Sequence, residues 1–240
     1  RPFGEEVEYG DEEKIEKQLR SLFFTSTPEI PDLVRSYLKE KSEKRRRNFF
    51  RDAVLENFAP LVRHLPGELV DYILAAFLER PGDDRDQWGS FDTHLIDERG
   101  IGGHQFYPAS PAQPPFLLLL RLHEAEGLRL IRALCNHSIA IWRWRSTHPS
   151  HYRSAATPVP VKVRLAWGQR SFWGDNQVYV WFRGYWGNTA VRSGLMALEQ
   201  WALEKIDAGT PFDEIFQKVV DGNSSVAALG LGVSLCLAHP

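Results

Sequence analysis

Apolar residues recur at every third or fourth position through most of the chain, which is the spacing of α-helices with one buried face. One strong case begins at Asn188 or Thr189 and ends at Gly209, residue types that favour the start and the end of a helix. Its apolar positions are Val191, Leu195, Leu198, Ala202 and Ile206. The same spacing marks residues 11–24, 31–38, 48–64, 68–78 and 211–220, while residues 116–144 and 226–238 are helix-like segments that are more uniformly apolar. The pattern therefore predicts a mainly α protein.

A period of two replaces the helical spacing at one place. From Val161 to Ala166, apolar residues alternate with charged or small ones, as is typical of a strand. Residues 167–170, WGQR, carry a turn signal, and Ser171–Trp173 can return as a second strand. We therefore expect a β-hairpin near residues 161–173, followed by a short aromatic helix or turn. Because an isolated hairpin is marginally stable in water, its apolar face should pack on the helices.

The hairpin region is also the most aromatic part of the chain. It contains four of the eight tryptophans: Trp167, Trp173, Trp181 and Trp186. These rings could form an aromatic recognition surface or a structural hub that packs between the helices. The second interpretation is favoured, because tryptophan and phenylalanine supply the largest packing area per residue.

Residues 79–115 have no periodicity and are rich in glycine and proline. An irregular loop of this length is uncommon in a compact domain and is often functional. The chain therefore divides into an N-terminal helical part at 1–80, a long irregular loop at 81–115, and a second helical part at 116–240 that contains the hairpin. Helices joined by proline turns are typical of stacked helical units. The predicted fold is an irregular HEAT-like, α-solenoid-like array with one inserted β-hairpin.

Two details of the second helical part follow from its composition. Residues 116–144 are apolar on most sides, which predicts burial between neighbours, and Gly127 is expected to separate two helices there. The run Val226–Ala238 is rich in small residues that allow close helix approach. It is shorter than the roughly 20 residues needed to span a bilayer, so no membrane partner is expected. Its apolar surface would stay exposed unless another element covers it.

A cluster of histidines and carboxylates in the irregular loop is a candidate for catalysis. Its members are Asp92, His94, Asp97, Glu98 and His104. Such groups can share a divalent ion or act as an acid and a base, so a metal-dependent or acid/base enzyme is one alternative. The spacing matches no established ligand motif, so ordinary loop polarity is the favoured interpretation and neither a metal site nor a cofactor is predicted.

Two basic segments raise the alternative of a nucleic-acid-binding module. The first is the run Lys44, Arg45, Arg46 and Arg47, and the second is Trp142–Arg145, in which rings and guanidinium groups alternate. The formal net charge of the chain is −2, which indicates no general attraction to nucleic acid. A solvated helix face for the first segment and cation–π packing for the second are therefore favoured.

Other sequence features restrict the class of protein further. The chain contains no GxxxxGK[ST] phosphate loop and no GxSxG nucleophile elbow. Cys135 and Cys236 lie in apolar helical segments, which predicts buried free thiols and a reducing, cytoplasmic compartment. The chain begins with Arg1 rather than methionine and ends at Pro240 after a strongly apolar run. We therefore expect a segment of a larger polypeptide.

The last third of the chain resembles a known family. The matching features are AWGQRSFWGDNQVYVWFRG, the helix SGLMALEQWALEKIDAG and the segment SSVAALGLG. They are similar to the helical region of very large bacterial ATP-binding proteins of the STAND-like type, several of which act in anti-phage defence. The resemblance implies a helical, repeat-like sensor arm joined to an NTPase module. The nucleotide-binding residues of that class have no counterpart in this sequence.

The leading functional hypothesis combines these observations. It is a non-catalytic α-helical scaffold or sensor segment of a larger, NTPase-containing bacterial protein of the defence type. Its partners would be other parts of that polypeptide or other proteins. The enzyme that uses the 92–104 cluster and the nucleic-acid module that uses the 44–47 run are the alternatives.

Overall fold

The computed structural model describes Leu38 and residues 58–78, 108–147, 157–183 and 188–239. Within these ranges the chain forms eight α-helices and one two-stranded antiparallel sheet. The prediction of a mainly α protein with one inserted β-hairpin is therefore confirmed. The chain divides into two compact units, Arg1–Ala76 and Phe77–Pro240.

The described part of the first unit consists of Leu38, which is helical, and two consecutive helices. These are α1, Phe58–His64, and α2, Pro66–Phe77. Proline is well placed at the first position of α2, because the first N–H groups of a helix have no partner within it. The buried apolar side chains of this unit include Leu38, Leu61, Val62, Leu65, Leu69, Val70, Tyr72 and Ile73.

The first two described helices that lie wholly in the second unit are α3, Phe116–Leu122, and the longer α4, Glu124–Thr147. The chain bends between them at His123, whose backbone angles, φ −140° and ψ 70°, lie outside the helical region. The prediction that Gly127 separates the two helices is wrong. Gly127 lies inside α4, where a Cβ atom would come within 2.7 Å of the backbone nitrogen of Leu120. This glycine permits close approach to α3 instead of ending a helix.

Helix α6, Thr189–Asp207, packs against α3 and α4 and forms the centre of the second unit. Asn188 caps it, since its side-chain oxygen accepts a hydrogen bond from the Ala190 amide at 2.8 Å. Its buried residues are Ala190, Val191, Ser193, Gly194, Leu195, Ala197, Leu198, Trp201 and Ala202. The predicted apolar face is therefore the core face, except that Ile206 is only half-buried.

Helices α7, Phe212–Val220, and α8, Val226–Ala238, complete the unit. The predicted close approach through small residues is confirmed for α8. A Cβ atom at Gly230 would lie 2.6 Å from Cε2 of Tyr179, and one at Gly232 would lie 2.8 Å from Cγ2 of Val220. Both distances are shorter than real carbon–carbon contacts, so neighbouring side chains occupy the space that a larger residue would need.

The hairpin consists of β1, Val161–Leu165, and β2, Gly168–Phe172, with Leu165 opposite Gly168 and Val161 opposite Phe172. The turn is Ala166–Trp167, earlier than the predicted turn at residues 167–170. Gly168 follows it with φ +119°, a conformation that L side chains rarely adopt, and this fixes the position of the turn.

The hairpin leads into α5, Asn176–Tyr179, and a 3₁₀ turn, Val180–Arg183, which confirms the predicted short aromatic helix. Asp175 caps α5 by accepting hydrogen bonds from the Gln177 and Val178 amides. Both elements pack on α8. Residues 173–183 therefore connect the hairpin to the helical core.

Candidate functional site

The candidate residues of the irregular loop and of the basic run lie outside the described residues. These are Asp92, His94, Asp97, Glu98 and His104 in the loop, and Lys44, Arg45, Arg46 and Arg47 in the run. The structure therefore leaves the enzyme and nucleic-acid hypotheses as they stood. Within the described ranges, no group of three or more His, Cys, Asp or Glu side chains could hold a metal ion.

The four tryptophans of the aromatic segment differ in their surroundings. Trp181 is 6% exposed and lies in the core of the second unit. Trp167 is half-buried, and its ring meets that of Phe216 edge-on, with centroids 5.8 Å apart. Trp186 lies outside the described residues. The Trp167 ring thus contacts α7, and the Trp181 ring lies in the core. Both positions are those expected of side chains in a packing hub.

Trp173 brings the second basic segment into the same region. The guanidinium carbon of Arg143 lies 3.8 Å from the centre of the Trp173 ring. This cation–π contact joins α4 to the residue that follows β2. One arginine of the Trp142–Arg145 segment, although exposed, therefore makes a contact within the protein, while Trp144 is 40% exposed.

Polar side chains of α4 fasten it to the loop between α7 and α8. The Asn136 amide nitrogen donates to the Gly222 carbonyl at 2.8 Å. The Asn136 oxygen accepts from the Ser224 amide at 2.8 Å and from the Ser224 hydroxyl at 2.7 Å. Arg132, one turn earlier, donates to the Lys218 carbonyl at 2.8 Å. These four bonds give Asn136 and Arg132 of α4 a structural role.

The Arg132 guanidinium is held in an unusual environment. Burial lowers its pKa below the ordinary value, and the nearby charge of Asp221 partly opposes that effect. Asp221 also lies 3.4 Å from the Arg170 side chain on β2. The carboxylate therefore links the α7–α8 loop to the hairpin as well as to α4.

Two groups of ion pairs lie on the surface of the helices of the second unit. Arg121 on α3 donates to Glu204 on α6, which lowers the pKa of Glu204 and raises that of Arg121. Lys218 on α7 lies 2.7 Å from both Glu124 and Glu214, and hydrogen bonding to these carboxylates raises its pKa, Glu124 having the larger effect. Because both groups are substantially exposed, each stabilises the fold only modestly.

Helix α8 presents an apolar surface to solvent. We call Val233, Cys236 and Leu237 the α8 apolar face; they lie three and four residues apart, on one side of the helix. Leu237 is 79% exposed and Val233 is 44% exposed. The prediction that Cys236 is buried is wrong: the cysteine lies on this exposed face, whereas Cys135 is buried as predicted. The periodicity of α8 could not show this, because its sequence is apolar all round.

The polar side chains of β1 form a second exposed surface, which was not predicted from the sequence. Lys162 and Arg164 are exposed and point to the same side of the hairpin, with Gln169 and Ser171 opposite them on β2. Both faces of the sheet contain positions that solvent reaches. The alternation of charged and apolar residues in 161–165 indicated that one face of the strand is polar. Only the strand pairing reveals which strand has an edge without a backbone partner among the described residues.

Comparison with known proteins assigns no family to this arrangement. No protein-family model matches the chain, and a search of curated proteins finds no match. Among the residues that the structure describes, no helix is both long enough and apolar enough to cross a membrane. The resemblance to the helical arms of STAND-like proteins remains a prediction.

Proposed function

We propose that this chain is a non-catalytic α-helical scaffold or sensor segment of a larger, NTPase-containing bacterial protein of the defence type, and that it acts through protein contacts. The observation that carries the proposal is the α8 apolar face. Isolated surface leucines are common, but three apolar residues on one side of an apolar helix are typical of a contact surface. The occupant that we propose is the remainder of the same polypeptide.

The packing of the second unit supports this function. The buried faces of α3, α4 and α6 form a dense core, and Asn136 of α4 binds the loop between α7 and α8. A segment built in this way can hold a surface in a fixed position. The resemblance of the last third of the chain to helical sensor arms points in the same direction.

The test uses the full-length polypeptide that contains this chain. We expect it to carry a phosphate-binding loop and to hydrolyse a nucleoside triphosphate. Amide exchange in α8 should be slower in the full-length protein than in the 240-residue chain, because docking covers the helix. A full-length protein without triphosphatase activity would refute the NTPase assignment. Equal exchange in both proteins would refute the docking of α8.

A matched pair of substitutions sharpens this test. Leu237 and Val159 are 79% and 78% exposed, but only Leu237 lies on the α8 apolar face. Leu237→Lys should remove the slowing of exchange in α8, since burying a leucine contributes about 1.5–3 kcal/mol to docking. Val159→Lys introduces the same charge at a site of similar exposure and should leave the slowing unchanged.

A further inference from the structure

On one long edge of the hairpin, the backbone groups have no hydrogen-bond partner among the residues that the structure describes. Opposite residues in an antiparallel pair alternate between those that bond to each other and those whose N–H and C=O groups point outward. With Leu165 and Gly168 closing the two-residue turn, the outward positions are Lys162 and Arg164 on β1. On β2 the outward positions include Trp173, just beyond the strand.

The behaviour of Trp173 supports this assignment. Its N–H donates to the Ser224 carbonyl at 2.7 Å, and its carbonyl accepts from the Val226 amide at 3.0 Å. The outer side of β2 is therefore paired where it meets the start of α8. On the outer side of β1, no backbone hydrogen bond to Lys162 or Arg164 is found among the described residues. We call this side the β1 outer edge.

The side chains along the β1 outer edge are cationic. Lys162 and Arg164 are both exposed, and neither has a carboxylate partner among residues 58–78, 108–147, 157–183 and 188–239. Arg170 on β2 differs, because Asp221 lies 3.4 Å from it. The two cationic side chains thus lie on one face of the sheet, beside the open N–H and C=O groups of the edge. The side chains of Val161, Val163 and Leu165 lie on the opposite face.

We propose that the β1 outer edge binds an extended acidic segment of a partner protein, which adds to the hairpin as a third strand. Strand addition satisfies the open N–H and C=O groups, and side chains at alternate positions provide the specificity. Residues opposite Lys162 and Arg164 would be Asp or Glu. Residues opposite Val161, Val163 and Leu165 would be apolar. The partner segment therefore alternates acidic and apolar residues over about five positions, the length of β1.

Charge excludes a second copy of the chain as the preferred occupant. If two β1 strands paired antiparallel about Val163, Lys162 of one copy would lie opposite Arg164 of the other. Like charges directly opposite each other destabilise a sheet, whereas opposite charges stabilise it. Lysine on an edge strand also suppresses self-association. The same charges that disfavour a copy of β1 favour an acidic strand.

The inference rests on the proposed function only in that the chain acts through protein contacts. The probe is a fluorescently labelled peptide, GVEVEVG, titrated with the purified 240-residue chain and followed by polarisation. Saturable binding that weakens as salt rises is expected. Absence of saturable binding below about 1 mM would overturn the proposal. Failure here, with α8 still protected in the full-length protein, would leave the proposed function intact.

A modified peptide tests the backbone contribution independently of any protein variant. N-methylation of the two glutamate amides of GVEVEVG removes the donors that would face β1 and keeps the charge. Binding by strand addition should then be lost. If the methylated peptide binds as tightly as the parent peptide, the contact is merely electrostatic and the proposed strand addition is wrong.

Matched protein variants test the charges. Arg164→Gln should weaken binding roughly two- to five-fold, the contribution of one cross-strand ion pair. Arg63→Gln removes the same charge from an exposed site on α1 and should have no effect. The double variant Lys162→Glu, Arg164→Glu should lose GVEVEVG and gain the charge-reversed peptide GVKVKVG. Circular dichroism should show unchanged folding, because both side chains are exposed. Unchanged binding of GVEVEVG by the double variant would overturn the proposal.

Other occupants would give different results. A dimer of the chain that sedimentation detects, and that Lys162→Glu strengthens by placing a glutamate opposite Arg164 of the other copy, would identify a second copy as the occupant. A single-stranded oligonucleotide that binds in an Arg164-dependent manner, while GVEVEVG does not bind, would identify a nucleic-acid contact. Either result would overturn the assignment of an acidic strand.

Discussion

Glycine residues in this chain have roles that depend on their neighbours and not on residue type alone. In the sequence, Gly127 resembles a helix breaker, yet it lies within α4 against the Leu120 backbone. Gly67 also lies inside a helix, but a Cβ atom there would meet nothing within 4 Å. The identity of the contacting element, which local sequence does not contain, separates the two cases.

These two glycines give a matched pair of substitutions. Gly127→Ala should lower the free energy of unfolding by about 1–3 kcal/mol, because α3 must shift to accommodate the new methyl group. Gly67→Ala should leave stability unchanged or raise it by up to about 1 kcal/mol, since alanine favours a helix. Urea denaturation of both variants provides the measurement. A Gly127→Ala protein as stable as the parent would contradict the close contact between α3 and α4.

The two cysteines should differ strongly in reactivity. Burial raises the pKa of the Cys135 thiol to about 12 from its ordinary value of 9.0, whereas Cys236 is exposed. Only the thiolate attacks a disulfide reagent, so Cys135 stays protonated and covered between pH 8 and pH 10 in the folded protein. A colorimetric thiol assay should release one equivalent per native chain and two after denaturation. Rapid release of two equivalents from the native chain would contradict the burial of Cys135.

At the scale of secondary structure, most of the described elements could be predicted, but the exact ends of some of them could not. The three- and four-residue spacing predicted α6, because one face of that helix is buried and the other faces solvent, and the residue types at its two ends predicted its cap and its end. The alternation predicts the hairpin, but the turn signal at residues 167–170 lies one residue later than the observed turn, Ala166–Trp167, because Gly168 has the composition of a turn residue and belongs to β2. In the structure the positive φ of Gly168 follows the turn.

The contact between α4 and the α7–α8 loop is an element-scale feature that no local pattern signals. Asn136 and Ser224 are 88 residues apart in sequence, and each alone looks like an ordinary polar surface residue. Their hydrogen bonds exist only because α4 runs beside the loop. The β1 outer edge is similar, because its lack of a backbone partner among the described residues depends on which strand the rest of the chain covers.

Removal of Asn136 should therefore loosen this junction. Asn136→Ala leaves the half-buried Ser224 amide without its acceptor, which should cost about 1–3 kcal/mol of unfolding free energy. Asn176→Ala provides the control, because Asn176 is exposed at the first position of α5. Thermal denaturation of the two variants measures the difference. Equal melting temperatures would show that water replaces the Asn136 contacts at no cost.

At the scale of the whole molecule, the chain consists of two compact units that divide near residue 77. The second unit has its own core, centred on Trp201, Leu195 and Phe116, all of which are fully buried. A unit with a separate core can in principle fold alone. The hairpin and α8 both belong to this second unit, so a fragment of it contains both proposed contact surfaces.

A fragment of residues 77–240 should consequently fold by itself. We expect a helical circular dichroism spectrum, a cooperative urea transition and the same Cys135 protection as in the 240-residue chain. The fragment should also retain binding of GVEVEVG if the β1 outer edge is the site. A non-cooperative transition, or rapid labelling of Cys135, would show that the second unit depends on the first.

The bridge between Trp173 and Ser225 has a consequence for communication across the molecule. Two backbone hydrogen bonds join the end of β2 to the first residues of α8. A strand that stiffens the hairpin would also restrain the beginning of that helix, and whatever covers α8 would in turn restrain the hairpin. Any such coupling between two binding events must be reciprocal, with equal effects on both affinities. Through this pair of bonds, binding at the β1 outer edge would change the affinity of the α8 apolar face for its partner, and binding at the α8 apolar face would change the affinity of the edge.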